Sequence, residues 1–282
     1  MANIIDGKHV ASVLRERIKK ETAELISSSG KTPNLTVIIV GSNPASQSYV
    51  RNKKKNASEV GFQSDTIELQ ENTTEAELLT LIEKLNNDNS VNGILVQLPL
   101  PDHINEQTVI EKIAVKKDVD GFHPEQVGRL SIGLNTLEPC TPAGVVQLLK
   151  YYNIEISGKN AVVIGRSNIV GKPIATMLLK LDATVTITHS RTANLDDITR
   201  AADIIVVAIG KPHFLTENMV KQGAVVIDVG INRTNEGKLV GDVDYEMVEK
   251  KASYITPVPG GVGPMTIAML LANTLTAFKK SL

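Results

Sequence analysis

A chain of 282 residues, 42% hydrophobic and 22% charged, is long enough for one large α/β domain or two ordinary ones around a normal core. A formal net charge of -1, aromatics at 3% and the absence of Trp argue against a nucleic-acid partner, by electrostatics and by the lack of base-stacking platforms. One cysteine, Cys140, excludes an internal disulfide and suits a reducing compartment. With no signal-peptide core and no run of roughly 20 apolar residues, a cytoplasmic protein without a membrane span is expected.

Residues 9–26 have the spacing of an amphipathic helix, closed by SSSGK. Residues 35–40, LTVIIV, are expected as a strand buried on both faces. A helix over about 45–60 leads to a strand around 65–69. Residues 74–86 read as a helix opened by Thr74, with Glu77 three residues on. VNGILVQ, residues 91–97, is a second buried strand, stopped by LPLP because proline has no N–H for a ladder. The stretch from about 117 to 141 has weak periodicity and several turn formers, and reads as the crossover between two domains. Residues 142–152 make a helix with proline in its first turn.

From Ser157 the chain repeats in α/β units, with strands at 161–164, 184–188, 204–208 and 225–229. PVPGGVG and a last helix over about 264–279 follow. The pattern predicts an α/β fold: two α/β lobes around a cleft, the second a Rossmann-like dinucleotide-binding domain. The first lobe is expected over 1–140 and the second over 141–264, with the C-terminal helix, 265–282, packing back on the first.

SGKNAVVIGRSNIVGKPIATMLL has the order strand, tight glycine turn, helix, and the helix N-terminus should offer free N–H groups to a pyrophosphate. The spacing from Gly165 to Gly171 is neither GxGxxG nor a Walker A loop, so this segment alone fits a dinucleotide site or an ordinary strand–helix turn. The next strand, TVTIT, ends in His189-Ser190-Arg191-Thr192 and lacks the acidic residue that binds the ribose 2′-hydroxyl in NAD-specific folds. Asp182 stands at its wrong end and Asp196 comes several residues too late. Ser190, Arg191 and Arg166 offer the hydroxyl and guanidinium groups a 2′-phosphate wants, so NADP is the expected cofactor; otherwise they are solvated loop residues.

Lys53-Lys54-Lys55 resembles a solvated helix face until the helix is wound. At about 100° per residue, Tyr49, Lys53, Asn56, Ala57 and Val60 share one stripe, and Lys54 and Lys55 rotate away from it. An ammonium on an inward face needs a partner or a purpose, and Tyr49 lies one turn away. Lys53 is therefore either functional or a snorkelling structural lysine.

SQSYVRNKKKNASEVGF, GILVQLPLP, KDVDGFHPEQVGRL, PCTPAGV, VVIGRSNIVGKP, DVGINR and PVPGGVGPMT together resemble the bifunctional methylenetetrahydrofolate dehydrogenase/methenyltetrahydrofolate cyclohydrolase family, in the family's order, from about residue 42 to 266. The resemblance implies that Lys53 is the catalytic lysine and that Tyr49 stacks on or hydrogen-bonds to folate. It implies that Gln97 positions the lysine and that Asp120 grips the pterin ring. It places Gly165, Arg166, Ser167, Ser190 and Ile231 against NADP, and adds Leu98, Pro99, Pro259, Gly260 and Gly261 to Tyr49, Gln97 and Asp120 as substrate-binding residues. It further implies a tetrahydrofolate substrate, a homodimer and the short bacterial-type enzyme, without a fused formyltetrahydrofolate synthetase domain.

The residues themselves allow these roles. Gln97 ends a predicted strand, where open α/β sheets present ligand groups, or it caps LPLP. Asp120 can accept a pterin's adjacent donors in a paired fashion, or serve a turn before Gly121. Cys140 either lines the cofactor end of the cleft or is a small buried apolar residue. His9, His103, His123, His189 and His213 show no ligand spacing, so no metal is expected. Arg51, Lys54 and Lys55 either attract the glutamyl tail of folate or are simply solvated. The competing readings are a monofunctional NADP-dependent dehydrogenase of a related two-domain fold, a dehydrogenase for a small carbonyl substrate, and a nucleotide-binding regulator. The last should have lost Lys53 or Gln97.

Overall fold

A computed structural model of the chain describes residues 1–234 and 236–282, with the side chains of residues 44–46 and 48 excepted. Its elements begin β1 (Asn3–Ile4), α1 (Gly7–Ser29), β2 (Asn34–Val40), α2 (Pro44–Glu59), β3 (Gln63–Leu69), α3 (Glu75–Asn87), β4 (Gly93–Val96), α4 (Glu106–Lys112) and α5 (Pro124–Ser131). They continue with α6 (Cys140–Tyr151), β5 (Asn160–Ile164), α7 (Gly171–Lys180), β6 (Thr184–Thr188), α8 (Leu195–Arg200), β7 (Ile204–Val207) and β8 (Val225–Asp228). The last are β9 (Asn232–Arg233), β10 (Leu239–Val240), α9 (Tyr245–Val248), β11 (Tyr254–Ile255) and α10 (Val262–Lys279). The chain divides into two compact units, one of Val13–Cys140 with Ile267–Leu282, the other of Met1–Ser12 with Thr141–Thr266.

The first of these units is built on a parallel sheet in the order β3-β2-β4. Every residue of β2 is buried, as a parallel strand covered on both faces requires. Its side chains alternate between two cores. Ile38 and Val40 join Leu78 and Ile82 of α3 and Ile94 of β4. Leu35, Val37 and Ile39 face Val50 of α2 with Leu270 and Ala277 of α10. Ala57 and Val60 pack with Ile18, Leu271, Leu275 and Phe278. α3 opens with the anticipated capping box: Thr74 Oγ1 accepts from Glu77 N, and Glu77 accepts from Thr74 N.

The stretch from 117 to 141 is more than a crossover. It holds α5, which starts where His123 Nδ1 accepts from Glu125 N and Pro124 occupies the first turn, and which buries Gln126 and Leu130. Its weak apolar periodicity came from burying an amide where a hydrophobic residue is the usual signal.

The second unit carries a six-stranded sheet in the order β1-β11-β8-β7-β5-β6, parallel at every pairing. Val162, Ile164, Ile205, Val207 and Val226 fill its core, and an antiparallel pair, β9 with β10, follows β8. Residues 1–12 group here and not with the lobe expected over 1–140. The reason is local: Asn3 and Ile4 pair with Tyr254 and Ile255, occupying what would otherwise be an open edge of β11.

Candidate active site

α2 winds as the sequence predicts. Val50, Lys53, Ala57 and Val60 are buried, while Arg51, Lys54 and Lys55 are exposed. Lys53 is only 5% exposed, and its ammonium donates to Gln97 Oε1 at 3.0 Å and lies 5.0 Å from the centre of the Tyr49 ring. Cation and aromatic face attract one another, more strongly where water is scarce. Gln97 follows β4, and its Nε2 donates to Leu98 O at 2.6 Å, which fixes the amide so that its oxygen faces the lysine. The amide thus ties into the LPLP loop, as the capping reading expects, while its oxygen stays turned toward Lys53. Leu98 and Pro99, joined by a cis peptide bond, continue the same loop.

Burial holds the Lys53 pKa below the ordinary lysine value, partly opposed by the Asp120 carboxylate. Desolvation pushes Asp120 itself up to about 6, with Lys53 pulling the other way and Asp118 adding to the rise. Cys140, 1% exposed, has a thiol that burial pushes well up, so it stays neutral. Cys140 therefore adds no charge beside Lys53 and the carboxyls of Asp118 and Asp120.

Asp120 stands on a loop that sequence inspection did not recognise as constructed. Buried Asp118 accepts from Gly121 N, His123 N and Gln126 Nε2, at 3.2, 2.8 and 2.8 Å. Gln126 also donates to Asp118 O and accepts from Leu137 N. Asn273 of α10 donates to Val119 O at 2.9 Å and Glu138 O at 2.8 Å, and Cys140 Sγ donates to Val119 O. The pairing of acids in KDVDG was the available signal for Asp118; nothing in the sequence marked Gln126 or Asn273.

In the other unit, Gly165 follows β5 with φ +119°, and a Cβ there would overlap Ala208 O. A Cβ at Gly171 would overlap Gly165 O. Gly165 N donates to Thr188 O, joining the turn to the end of β6, beyond which Ser190 and Arg191 stand exposed. Arg166 and Ser167 are exposed on the turn itself. The N–H groups expected to await a pyrophosphate are already engaged. Val170 N and Gly171 N donate to Ser167 Oγ, and Lys172 N to Ser167 O. A helix start leaves such donors open, and a nearby serine satisfies them as a cap does.

Ile231 is 52% exposed, between Gly230 and Asn232. Pro259, after a cis bond from Val258, is exposed, and Gly260 and Gly261 are buried; Gly260 O accepts from Lys8 N. The structure thus brings Tyr49, Lys53, Gln97 and Asp120 together in one unit. Gly165, Arg166, Ser167, Ser190, Ile231 and residues 259–261 belong to the other.

A family model described as the tetrahydrofolate dehydrogenase/cyclohydrolase catalytic domain matches residues 5–120, and one described as the NAD(P)-binding domain of the same family matches residues 139–282. The chain is 59% identical over 279 residues to the bifunctional protein FolD of Campylobacter hominis, covering 99% of this chain and 98% of that protein. The crystal structure of the bifunctional methylenetetrahydrofolate dehydrogenase/cyclohydrolase from Campylobacter jejuni is similar at a TM-score of 0.98 and 54% identity, covering 100% of both chains. That of the Trypanosoma brucei methylenetetrahydrofolate dehydrogenase-cyclohydrolase, complexed with NADP and an inhibitor, is similar at 0.95 and 44% identity, covering 99% of this chain and 98% of that one. The chain belongs to the tetrahydrofolate dehydrogenase/cyclohydrolase family.

Proposed function

We infer that the protein oxidises 5,10-methylenetetrahydrofolate with NADP and then hydrolyses the methenyl product to 10-formyltetrahydrofolate. The observation that carries this reading is Lys53. A buried ammonium held by Gln97 beneath Tyr49 is superfluous to a pure hydride-transfer enzyme and suited to moving protons. That favours the bifunctional enzyme over a monofunctional dehydrogenase.

The second unit fits a dinucleotide. Its glycine turn is a cradle that a Cβ would fill, and Arg166, Ser190 and Arg191 supply a guanidinium and hydroxyl set for a 2′-phosphate with no competing carboxylate at the end of β6. NADP held there would supply the acceptor for the hydride of the methylene carbon. The chain's own work then begins. Neutral Lys53 takes a proton from the water that attacks the methenyl carbon and passes it to the nitrogen that leaves as the ring opens, while the remaining hydroxyl proton departs to solvent as the formyl C=O forms. Burial already favours the neutral amine, and a cationic substrate adjacent to it favours that form further. Gln97 and Tyr49 hold the amine in line. Asp120, ionised at neutral pH, accepts the paired donors of the pterin edge, and Leu98, Pro99 and residues 259–261 complete the substrate-binding set.

Arg51, Lys54 and Lys55 form an exposed cationic face suited to the glutamyl tail. The product is a formyl donor of the kind purine synthesis consumes. A homodimer in the cytoplasm completes the reading. The exposed edge strand β6, with Ile187 41% exposed, and Leu179 of α7, 62% exposed, offer apolar surface for a second copy, and the one buried thiol suits a reducing compartment.

The deciding experiment follows NADPH and methenyltetrahydrofolate together by absorbance, with NADP and with NAD. Reduction of NADP coupled to transient methenyl product is expected. Absence of methenyl decay beyond the uncatalysed rate would leave only a dehydrogenase.

A further inference from the structure

Two carboxylates at the carboxyl end of the second unit's sheet take no part in the chemistry above. Asp228 closes β8 at 3% exposure, and Asp242, fully buried, follows β10. Asp242 Oδ2 accepts from Ile209 N at 2.8 Å and Gly210 N at 2.9 Å, and its Oδ1 accepts from Lys211 N at 2.8 Å and Asn232 Nδ2 at 2.9 Å. Asp228 holds Asp242 in turn, its Oδ1 accepting from Asp242 N and Gly230 N and its Oδ2 from Val243 N. The packing leaves no slack, since a Cβ at Gly230 would overlap the Asp242 carboxylate and one at Gly241 the Asp228 carboxylate.

Successive backbone N–H groups aimed at one point form an anion-binding concavity. The 209–211 turn makes such a concavity, and Asp242 fills it from within. Its consequence is shape. The turn begins at Ala208, whose carbonyl abuts Gly165 of the glycine turn, and Asn232 brackets Ile231. Loops beyond the carboxyl ends of parallel strands are where open α/β sheets bind ligands.

We propose that Asp242 is a positioning residue for the dinucleotide: its carboxylate holds the 209–211 turn against Gly165 and holds Asn232 beside Ile231, so that the cofactor meets preformed walls. The role requires both oxygens to accept. In Asp242→Asn one oxygen becomes an amide nitrogen facing N–H donors, and whichever way the amide turns, either Ile209 and Gly210 or Lys211 and Asn232 lose their partner. The proposal rests on the reading of this unit as the NADP site.

The test measures NADP-linked oxidation at varied NADP concentration and, separately, methenyltetrahydrofolate hydrolysis with no dinucleotide present, in the parent, D242N and N232A. D242N is expected to raise KM for NADP at least tenfold and N232A about threefold, with hydrolysis within twofold of the parent in both. A folded D242N whose KM for NADP stays within twofold, or a proportional fall in both activities, overturns the positioning role. Should D242N not fold, N232A decides on the same criterion. A parent lacking NADP-linked oxidation would sink the functional reading instead, which separates the two failures.

Discussion

At the scale of single residues, the site depends on a lysine amine kept dry. Lys53→Met removes the proton carrier but leaves the cofactor unit untouched, so methenyl hydrolysis should fall about 10²–10⁴-fold, the usual worth of a positioned acid–base group. Hydride transfer should fall far less; equal loss of both rates, with folate still binding, would contradict the division of labour. Asp120 gives a pH dependence with a definite sign. Its carboxyl titrates near 6, so it is charged and accepting above that pH and neutral below it. KM for methylenetetrahydrofolate should therefore rise as pH falls through about 6, and in Asp120→Asn it should be high throughout and flat. Removing the Asp120 charge also removes what props up the Lys53 pKa, so the alkaline-rising limb of the hydrolysis profile should shift toward acid in that variant.

At the scale of elements, α3 owes its start to a reciprocal cap. Thr74→Ala should cost about 1 kcal/mol in denaturant unfolding and leave both activities unchanged, because nothing in the site touches that helix end. This cap was legible because it is written in neighbouring residues, as was β2, whose short β-branched run fits a strand covered on both faces. The inward lysine was legible because helical angle alone separates Lys53 from its neighbours. α5 was not, because its buried face carries Gln126, and polar burial is justified only by partners far along the chain such as Leu137. Asp242 escaped for the same reason: its donors lie about thirty residues upstream, and its Asn232 partner ten. The free helix N-terminus was expected from general geometry, and the serine already present in the turn had first claim on it.

At the scale of the molecule, neither unit is a continuous piece of chain. Val13–Cys140 is completed by Ile267–Leu282, which contributes Leu270, Leu271, Leu275 and Phe278 to two of its cores. A fragment of residues 13–140 would expose those cores, and losing even one such side chain typically costs about 2–5 kcal/mol. The fragment should show no cooperative unfolding transition by circular dichroism, and adding residues 267–282 as a separate peptide should restore helicity and order. A fragment that melts cooperatively by itself would mean that α10 is dispensable to this core. Among the described residues no helix is long and apolar enough to cross a membrane.

Gly121 has φ +78°, and a Cβ there would fall 2.7 Å from both the Glu138 carbonyl carbon and the Pro139 nitrogen. The turn that bears Asp120 is therefore seated flush against another stretch of backbone, with hydrogen as the only tolerable spacer. For anyone redesigning the pterin contact, this sets a rule of order. Asp120 can be varied freely as a chemical group only while its neighbour stays bare, and a library randomised over both positions would mostly report misplaced side chains as lost recognition.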